Sequence, residues 1–180
     1  LTAFVSFERV FEVLDAPNPI QDRPGAVDLV DPEGLVELQD VTFEYPAADE
    51  VSLASLEGPT GTALSSTTAG PVLHAVTTTL EPGSLTALVG PSGAGKSTLS
   101  SLIPRLYDVT DGSIKVDGTD VRDLTQSSLR AEIGVVSQDP PLCHETVGAI
   151  LRYARPGATD GEVEAACRAA QIHEVFAGLP

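Results

Sequence analysis

Several residue types are scarce or missing in these 180 residues. There is no methionine and no tryptophan, there are two cysteines, and ten basic residues face 26 acidic ones. Two cysteines are too few for a disulfide framework, and a formal net charge of −16 would repel a nucleic-acid backbone. No apolar run approaches the roughly 18 residues that a membrane-spanning helix needs, and the N-terminus lacks a signal-peptide pattern. These absences favour a reducing, cytosolic setting with no nucleic-acid partner.

What remains is the composition of a folded chain. Hydrophobic residues make up 42% of the sequence and charged residues 20%, which excludes global disorder. A chain of this length is expected to build one core and to bury roughly 70% of its unfolded surface. Because the first residue is leucine and methionine is absent, we expect the chain to be a segment of something longer.

The first 34 residues are predicted to precede the main folded domain. Residues 15–34 contain four prolines and two glycines, so they are predicted to form a linker that ends near Leu35. Before them, four apolar residues spaced three or four apart would share one face of a helix: Phe4, Phe7, Phe11 and Leu14. That face fits either an ordinary core helix or a helix that continues from a preceding domain.

Strands and helices are predicted to follow from residue 35 onward. Alternating residues predict strands at 35–45, with a bulge or turn near Asp40, and at 71–80. A hairpin is predicted around Asp117-Gly118, because this dipeptide tolerates positive φ. Between the first two strands, residues 46–70 lack periodicity and basic side chains, so they are predicted to form an inserted surface loop.

The remaining elements predict a layered α/β fold. Residues 84–89 and 133–136 are short and apolar, as expected of buried strands in a mainly parallel central sheet. A helix is predicted over 96–107, bent or shortened by Pro104. A second helix is predicted behind the capping box that Thr159 and Glu162 would form.

Residues 90–97, GPSGAGKS, match the phosphate-binding P-loop pattern G-x-x-x-x-G-K-[ST]. The loop follows the predicted strand 84–89 and opens the predicted helix, where backbone N–H groups and the helix dipole would converge on a phosphate. Lys96 would then reach the β- and γ-phosphates of a nucleotide, and the Ser97 hydroxyl would ligate Mg²⁺. The alternative is a glycine-rich turn without a ligand. The predicted nucleotide-binding residues of this segment are Gly90, Pro91, Ser92, Gly93, Ala94, Gly95, Lys96, Ser97 and Thr98.

The motif and its surroundings resemble the nucleotide-binding domain of ATP-binding cassette (ABC) transporters of the exporter type. FERVFEVLD, VTFEYP, GPSGAGKSTL, LYDVTDGSIKVDGTDVRDL and SLRAEIGVVSQDPPL follow in family order, and the resemblance covers nearly the whole chain apart from 46–70. It implies a RecA-like P-loop NTPase core with an antiparallel β-subdomain, truncated as the helical subdomain begins. It also implies that residues 1–34 join a preceding membrane domain and that 35–180 form the N-terminal portion of the cassette.

Two more site residues come from this resemblance. Tyr45 in VTFEYP would stack on adenine, and Gln138 would be the Q-loop glutamine that contacts Mg²⁺ or the attacking water. Lys96 and Gln138 are thus the residues expected to act in catalysis. An aromatic face can stack on any base, and an uncharged amide can orient water. The alternatives are a strand-end packing role for Tyr45 and a loop or capping role for Gln138.

The implied activity is MgATP hydrolysis coupled to export. The resemblance implies a transmembrane domain in the same polypeptide, a second nucleotide-binding domain as dimer partner, and a place at the cytoplasmic face of the cell membrane. The family's LSGGQ signature, Walker B carboxylates, D-loop and switch histidine have no counterpart in these residues, so we expect the chain alone to be inactive. Alternatives are a non-catalytic P-loop nucleotide-binding or regulatory module, or a P-loop kinase or GTPase, whose lid or guanine-reading motif is not seen.

Overall fold

The computed structural model describes four helical residues near the N-terminus and the ranges 18–46, 70–136 and 145–178. The chain divides into two compact units, Leu1–Gly134 and Val135–Pro180. Among the residues described, no helix is long and apolar enough to span a membrane. The four helical residues are Phe7, Val10, Phe11 and Leu14, and all four are exposed. They therefore add nothing to the core that the described residues form. Phe4, predicted on the same helix face, lies outside the described residues.

A four-stranded antiparallel sheet forms the centre of the first unit. Its strands are β1 (Val36–Phe43), β2 (Leu73–Leu80), β3 (Asp111–Val116) and β4 (Thr119–Asp120), in the order β2-β1-β3-β4. The predicted hairpin is present, since Asp117 and Gly118 join β3 to β4 with φ of 48° and 80°. The predicted antiparallel β portion is therefore confirmed.

The bulge expected near Asp40 is also present. Asp40 has a φ of 49°, and the register of β1 against β2 shifts between Leu38 and Val41. The Thr77 hydroxyl donates to the Asp40 carboxylate at 2.9 Å and accepts from the Asp40 backbone N–H at 2.9 Å. The extra residue turns both Leu38 and Val41 toward the interior, although their spacing of three would put them on opposite faces of a regular strand.

In the described part of the first unit, helix α1 (Lys96–Leu102) follows β2 in the chain, and helix α2 (Gln126–Ala131) follows β4. Helix α1 is shorter than the predicted 96–107, because proline lacks a backbone N–H and Arg105 has a φ of 53°. The core is formed by side chains from the sheet, from both helices and from the short segment between β4 and α2. Its residues are Leu38, Val41, Phe43, Leu73, Leu99, Leu102, Ile114, Val116, Val121, Leu124 and Leu129.

The predicted parallel central sheet is not formed in the described part of the chain. Residues 84–89 and 133–136 carry no strand pairing there, and the side chains of Leu85 and Val136 are 100% exposed. A strand needs a neighbour to satisfy its backbone N–H and C=O groups, and neither segment has one among the described residues. The prediction of these two strands is therefore corrected: within the described ranges, both segments lack the backbone hydrogen bonds to a neighbouring strand that would make them part of a sheet.

The described part of the predicted linker, residues 18–34, belongs to the first unit and contacts the rest of it. Val27 forms a parallel bridge with Leu124. The Gln126 backbone N–H, at the start of α2, donates to the Asp22 carboxylate at 3.0 Å and lowers the pKa of Asp22 below its ordinary value. These contacts tie the segment to α2. That residues 1–34 join a membrane domain stays a prediction.

In the second unit, the described residues form the helices α3 (Val147–Leu151), α4 (Asp160–Ala169) and α5 (His173–Ala177). The predicted capping box begins α4: the Glu162 backbone N–H donates to the Thr159 hydroxyl at 3.3 Å, and the Glu162 carboxylate accepts from the Thr159 backbone N–H at 2.9 Å. The same backbone N–H lowers the pKa of Glu162. Cys167 of α4 is buried as a free thiol.

Candidate functional site

The glycines of the P-loop set its backbone path. Gly93 and Gly95 have left-handed φ values of 83° and 80°, which side chains rarely adopt. A Cβ at Gly95 would also lie 2.6 Å from the Leu73 side chain and 3.2 Å from the Val72 carbonyl oxygen. Glycine at 95 therefore lets the loop pass against the start of β2 and enter α1 directly.

Lys96 is held across the loop that precedes it. Its ammonium donates to the carbonyl oxygens of Gly90 at 3.0 Å and Pro91 at 2.7 Å. Between residues 82 and 104 it is the only charged side chain, in a chain whose net charge is −16. A lone positive charge beside a glycine-rich loop favours the binding of an anion. Ser97, next along α1, is exposed.

Three aromatic rings lie together beside α1. Tyr45 follows the end of β1, and its ring centroid is 4.9 Å from that of Phe43 and 5.3 Å from that of Tyr107. Both contacts are nearly perpendicular, at 81° and 88°. The Tyr45 hydroxyl also lies 2.9 Å from the hydroxyl of Thr98, which is buried in α1. The structure thus places Tyr45 beside α1, and Tyr45 remains 44% exposed.

Tyr107 did not emerge from the sequence as a site residue. It lies five residues beyond the end of α1, and its contact with Tyr45 joins parts of the chain that are distant in sequence. Strand and helix periodicity carry no signal for such a pair. The one available hint is that Tyr107 and Tyr45 are two of only three tyrosines in the chain.

Not every predicted site residue can be placed. Gln138 lies outside the described residues, as do residues 47–69 of the predicted insert. No group of three or more histidine, cysteine, aspartate or glutamate side chains that could hold a metal occurs in the ranges the structure describes. The Ser97 hydroxyl is an oxygen donor of the kind that Mg²⁺ prefers, and Mg²⁺ in nucleotide sites takes most of its other ligands from phosphate and water. The exposed Ser97 is compatible with such a site.

Comparison with known proteins agrees with this geometry. Residues 73–177 match the family model described as "ABC transporter". The chain is 39% identical over 179 residues to the ATP-binding cassette sub-family B member 6 of Mus musculus, covering 99% of this chain and 19% of that protein. It is 43% identical over 176 residues to the ABC transporter aclQ of Aspergillus oryzae, covering 98% of this chain and 19% of that protein. The chain thus spans about a fifth of the length of these relatives.

A solved structure is similar as well. It is described as a bacterial Atm1-family ABC exporter with ATP bound, and it aligns with a TM-score of 0.79 and 35% identity, covering 99% of this chain and 28% of that one. The agreement confirms the predicted α/β P-loop NTPase fold class with its antiparallel β portion. With a family match over more than half of its length, the chain belongs to the ABC transporter family and is part of the ATP-binding domain.

Proposed function

We propose that this chain is the ATP-binding portion of an ABC exporter, in which binding and hydrolysis of MgATP drive transport across a membrane. The observation that carries the proposal is the position of Lys96, held by the Gly90 and Pro91 carbonyls across a glycine loop. The similar exporter structure has ATP bound, which supports the same ligand here.

In this proposal the phosphates enter the loop at residues 90–97. Lys96 would exchange its two carbonyl acceptors for β- and γ-phosphate oxygens, and backbone N–H groups of the loop would donate to the same phosphates. Ser97 would hold Mg²⁺, and the bound ion would neutralise part of the negative charge of the phosphates. Tyr45 would stack on the adenine, because its side chain is partly exposed and lies beside α1.

Hydrolysis needs more than this site. Gln138 would orient the attacking water, but the signature motif, Walker B carboxylates, D-loop and switch histidine are not present in these residues. We therefore infer that turnover requires a Walker B glutamate and the signature loop of a second nucleotide-binding domain. A transmembrane domain in the same polypeptide would couple that turnover to transport, at the cytoplasmic face of the membrane. The 180 residues alone would bind MgATP weakly and hydrolyse none.

The chain offers a matched pair of variants to test the phosphate site. It has only two lysines, Lys96 in the loop and Lys115 in β3. In the full-length protein, Lys96→Ala should weaken ATP binding by roughly tenfold to a hundredfold, because charge-assisted hydrogen bonds contribute about 1.5–3 kcal/mol. Lys115→Ala should leave the dissociation constant unchanged in the same titration. Equal affinities for both variants would overturn the assignment of Lys96.

A second experiment addresses turnover by the isolated chain. Phosphate release by the purified 180 residues should not exceed background. Steady release that Lys96→Ala abolishes, which excludes a contaminating ATPase, would contradict this expectation. ATP binding without hydrolysis in the full-length protein would instead favour the regulatory-module alternative.

A further inference from the structure

We propose that Tyr107 is a positioning residue for base recognition, which holds the Tyr45 ring in the orientation that receives the nucleotide base. The inference rests on the proposed function, because it assumes that Tyr45 stacks on a base. It assigns to Tyr107 a role that neither the P-loop motif nor the resemblance supplies.

The geometry around Tyr45 shows how the ring is held. Tyr107 and Phe43 contact it at centroid distances of 5.3 and 4.9 Å and nearly at right angles, the edge-to-face arrangement that aromatic pairs prefer. Phe43 is buried, with 2% exposure, and belongs to the sheet core. Tyr107 is 36% exposed, so it is the ring of this cluster, besides Tyr45 itself, that reaches the surface.

Tyr107 is itself anchored on both sides. Arg105 is 2% exposed, and its guanidinium donates to both carboxylate oxygens of Asp108 at 2.7 and 3.2 Å. Arg130 of α2 donates to the Arg105 carbonyl oxygen at 2.7 Å. A bidentate ion pair therefore joins residues on either side of Tyr107 in the chain, and the backbone at Arg105 is fixed to α2. Because its backbone is held in this way, the Tyr107 ring can restrict the motion of the Tyr45 ring that packs against it.

A fixed ring binds its base more tightly than a mobile one. A side chain that must be ordered on binding lowers affinity by an amount that corresponds to about twofold to tenfold. The hydrogen bond between the Tyr45 and Thr98 hydroxyls restrains the hydroxyl end of the ring, and Tyr107 restrains its rotation. Loss of Tyr107 should therefore weaken the base contribution to binding and leave the phosphate contribution as it was.

Two ligands separate these contributions in the full-length protein. ATP carries a base, whereas inorganic tripolyphosphate offers phosphates alone, and both affinities can be measured by calorimetric titration. Tyr107→Leu should bind ATP about twofold to tenfold more weakly and bind tripolyphosphate as the wild type does. Tyr107→Phe keeps the ring and should restore ATP affinity. Tyr153→Leu is the matched control, because Tyr153 is 81% exposed and belongs to the second unit, and it should change neither affinity.

A spectroscopic readout follows the ring directly. Since the 180 residues contain no tryptophan, Tyr45→Trp introduces a reporter, and the difference from wild-type fluorescence isolates it. Its anisotropy without nucleotide should fall when Tyr107→Leu is added and should be retained with Tyr107→Phe. If Tyr107→Leu fails to fold, Tyr107→Met fills a similar volume without a ring and should show the same selective loss.

The outcomes distinguish this inference from the proposed function. Unchanged ATP affinity in Tyr107→Leu or Tyr107→Met, or an equal loss for ATP and tripolyphosphate, would overturn the positioning role of Tyr107. A wild-type protein that binds neither ligand, or whose ATP binding does not depend on Lys96, would overturn the proposed function itself.

Discussion

The phenolic oxygen of Tyr45 lies 2.9 Å from the hydroxyl oxygen of Thr98, so the end of β1 is joined to a buried residue of α1. Thr98 is two residues beyond the P-loop lysine. The proposed base site and the proposed phosphate site are therefore connected by one side-chain hydrogen bond, and a change at Tyr45 can be examined for effects on both.

Substitutions at Tyr45 should separate stacking from hydrogen bonding. Tyr45→Ala removes the ring and should weaken ATP binding more than Tyr45→Phe or Tyr45→Trp, because stacking needs the aromatic face and not the hydroxyl. Tyr45→Phe should cost at most about 1 kcal/mol of unfolding free energy, the typical net contribution of one hydrogen bond. ATP titration of the three variants provides the measurement. Indistinguishable affinities would leave Tyr45 as a packing residue.

Gly95→Ala should destabilise the first unit more than Gly118→Ala. Both glycines have a φ of 80°, so the backbone strain of a left-handed alanine, about 1–2 kcal/mol, is common to the two variants. Only at 95 would the new Cβ meet another side chain, Leu73, whereas nothing lies within 4 Å at 118. We expect an additional loss of roughly 1–3 kcal/mol in chemical denaturation. Equal losses would show that the loop moves away from β2 without cost.

Two ion pairs of different burial provide a further comparison. Arg105, 2% exposed, pairs with Asp108, whereas the Arg23 and Asp123 side chains are 49% and 57% exposed. Arg105→Ala should lower the unfolding free energy by about 1.5–3 kcal/mol, because it removes charge-assisted hydrogen bonds and buried packing, while the remaining Asp108 side chain is 35% exposed and keeps part of its hydration. Arg23→Ala should cost about 0–1 kcal/mol, since water screens that pair. A denaturant series on both variants checks this, and similar losses would contradict it.

The contact between Asp22 and α2 should depend on pH. The Gln126 backbone and side-chain N–H groups lower the pKa of Asp22 in the folded state, so the ionised form stabilises the fold. This stabilisation is present above the ordinary carboxyl pKa and is lost as the pH falls through the lowered folded value. Thermal melts of wild type and Asp22→Asn should therefore differ at pH 7 and converge in strongly acidic buffer. A difference that persists unchanged at low pH would assign it to something other than the Asp22 charge.

Local chemistry made much of the fold predictable. The Asp117-Gly118 hairpin, the bulge at Asp40 and the Thr159 capping box each depend on residues close in sequence, and the structure has all three. The ladder expected at 84–89 did not form among the described residues, because pairing depends on a neighbouring segment and not on the strand's own apolar pattern. The contact of Tyr45 with Tyr107 was missed for the same reason. Gln138 lies outside the described residues, and its role stays a prediction.

The two carbonyl acceptors of Lys96 bear on which anions can compete for the loop. Because two of the three N–H donors of the ammonium already have partners in Gly90 and Pro91, an anion gains all three hydrogen bonds only if it replaces both contacts. Chloride carries a single charge and offers one small contact, so it gains little from the exchange. A polyphosphate presents several charged oxygens at once and gains much more. The resting position of Lys96 therefore favours selectivity for polyanions over the monovalent salts that surround the protein.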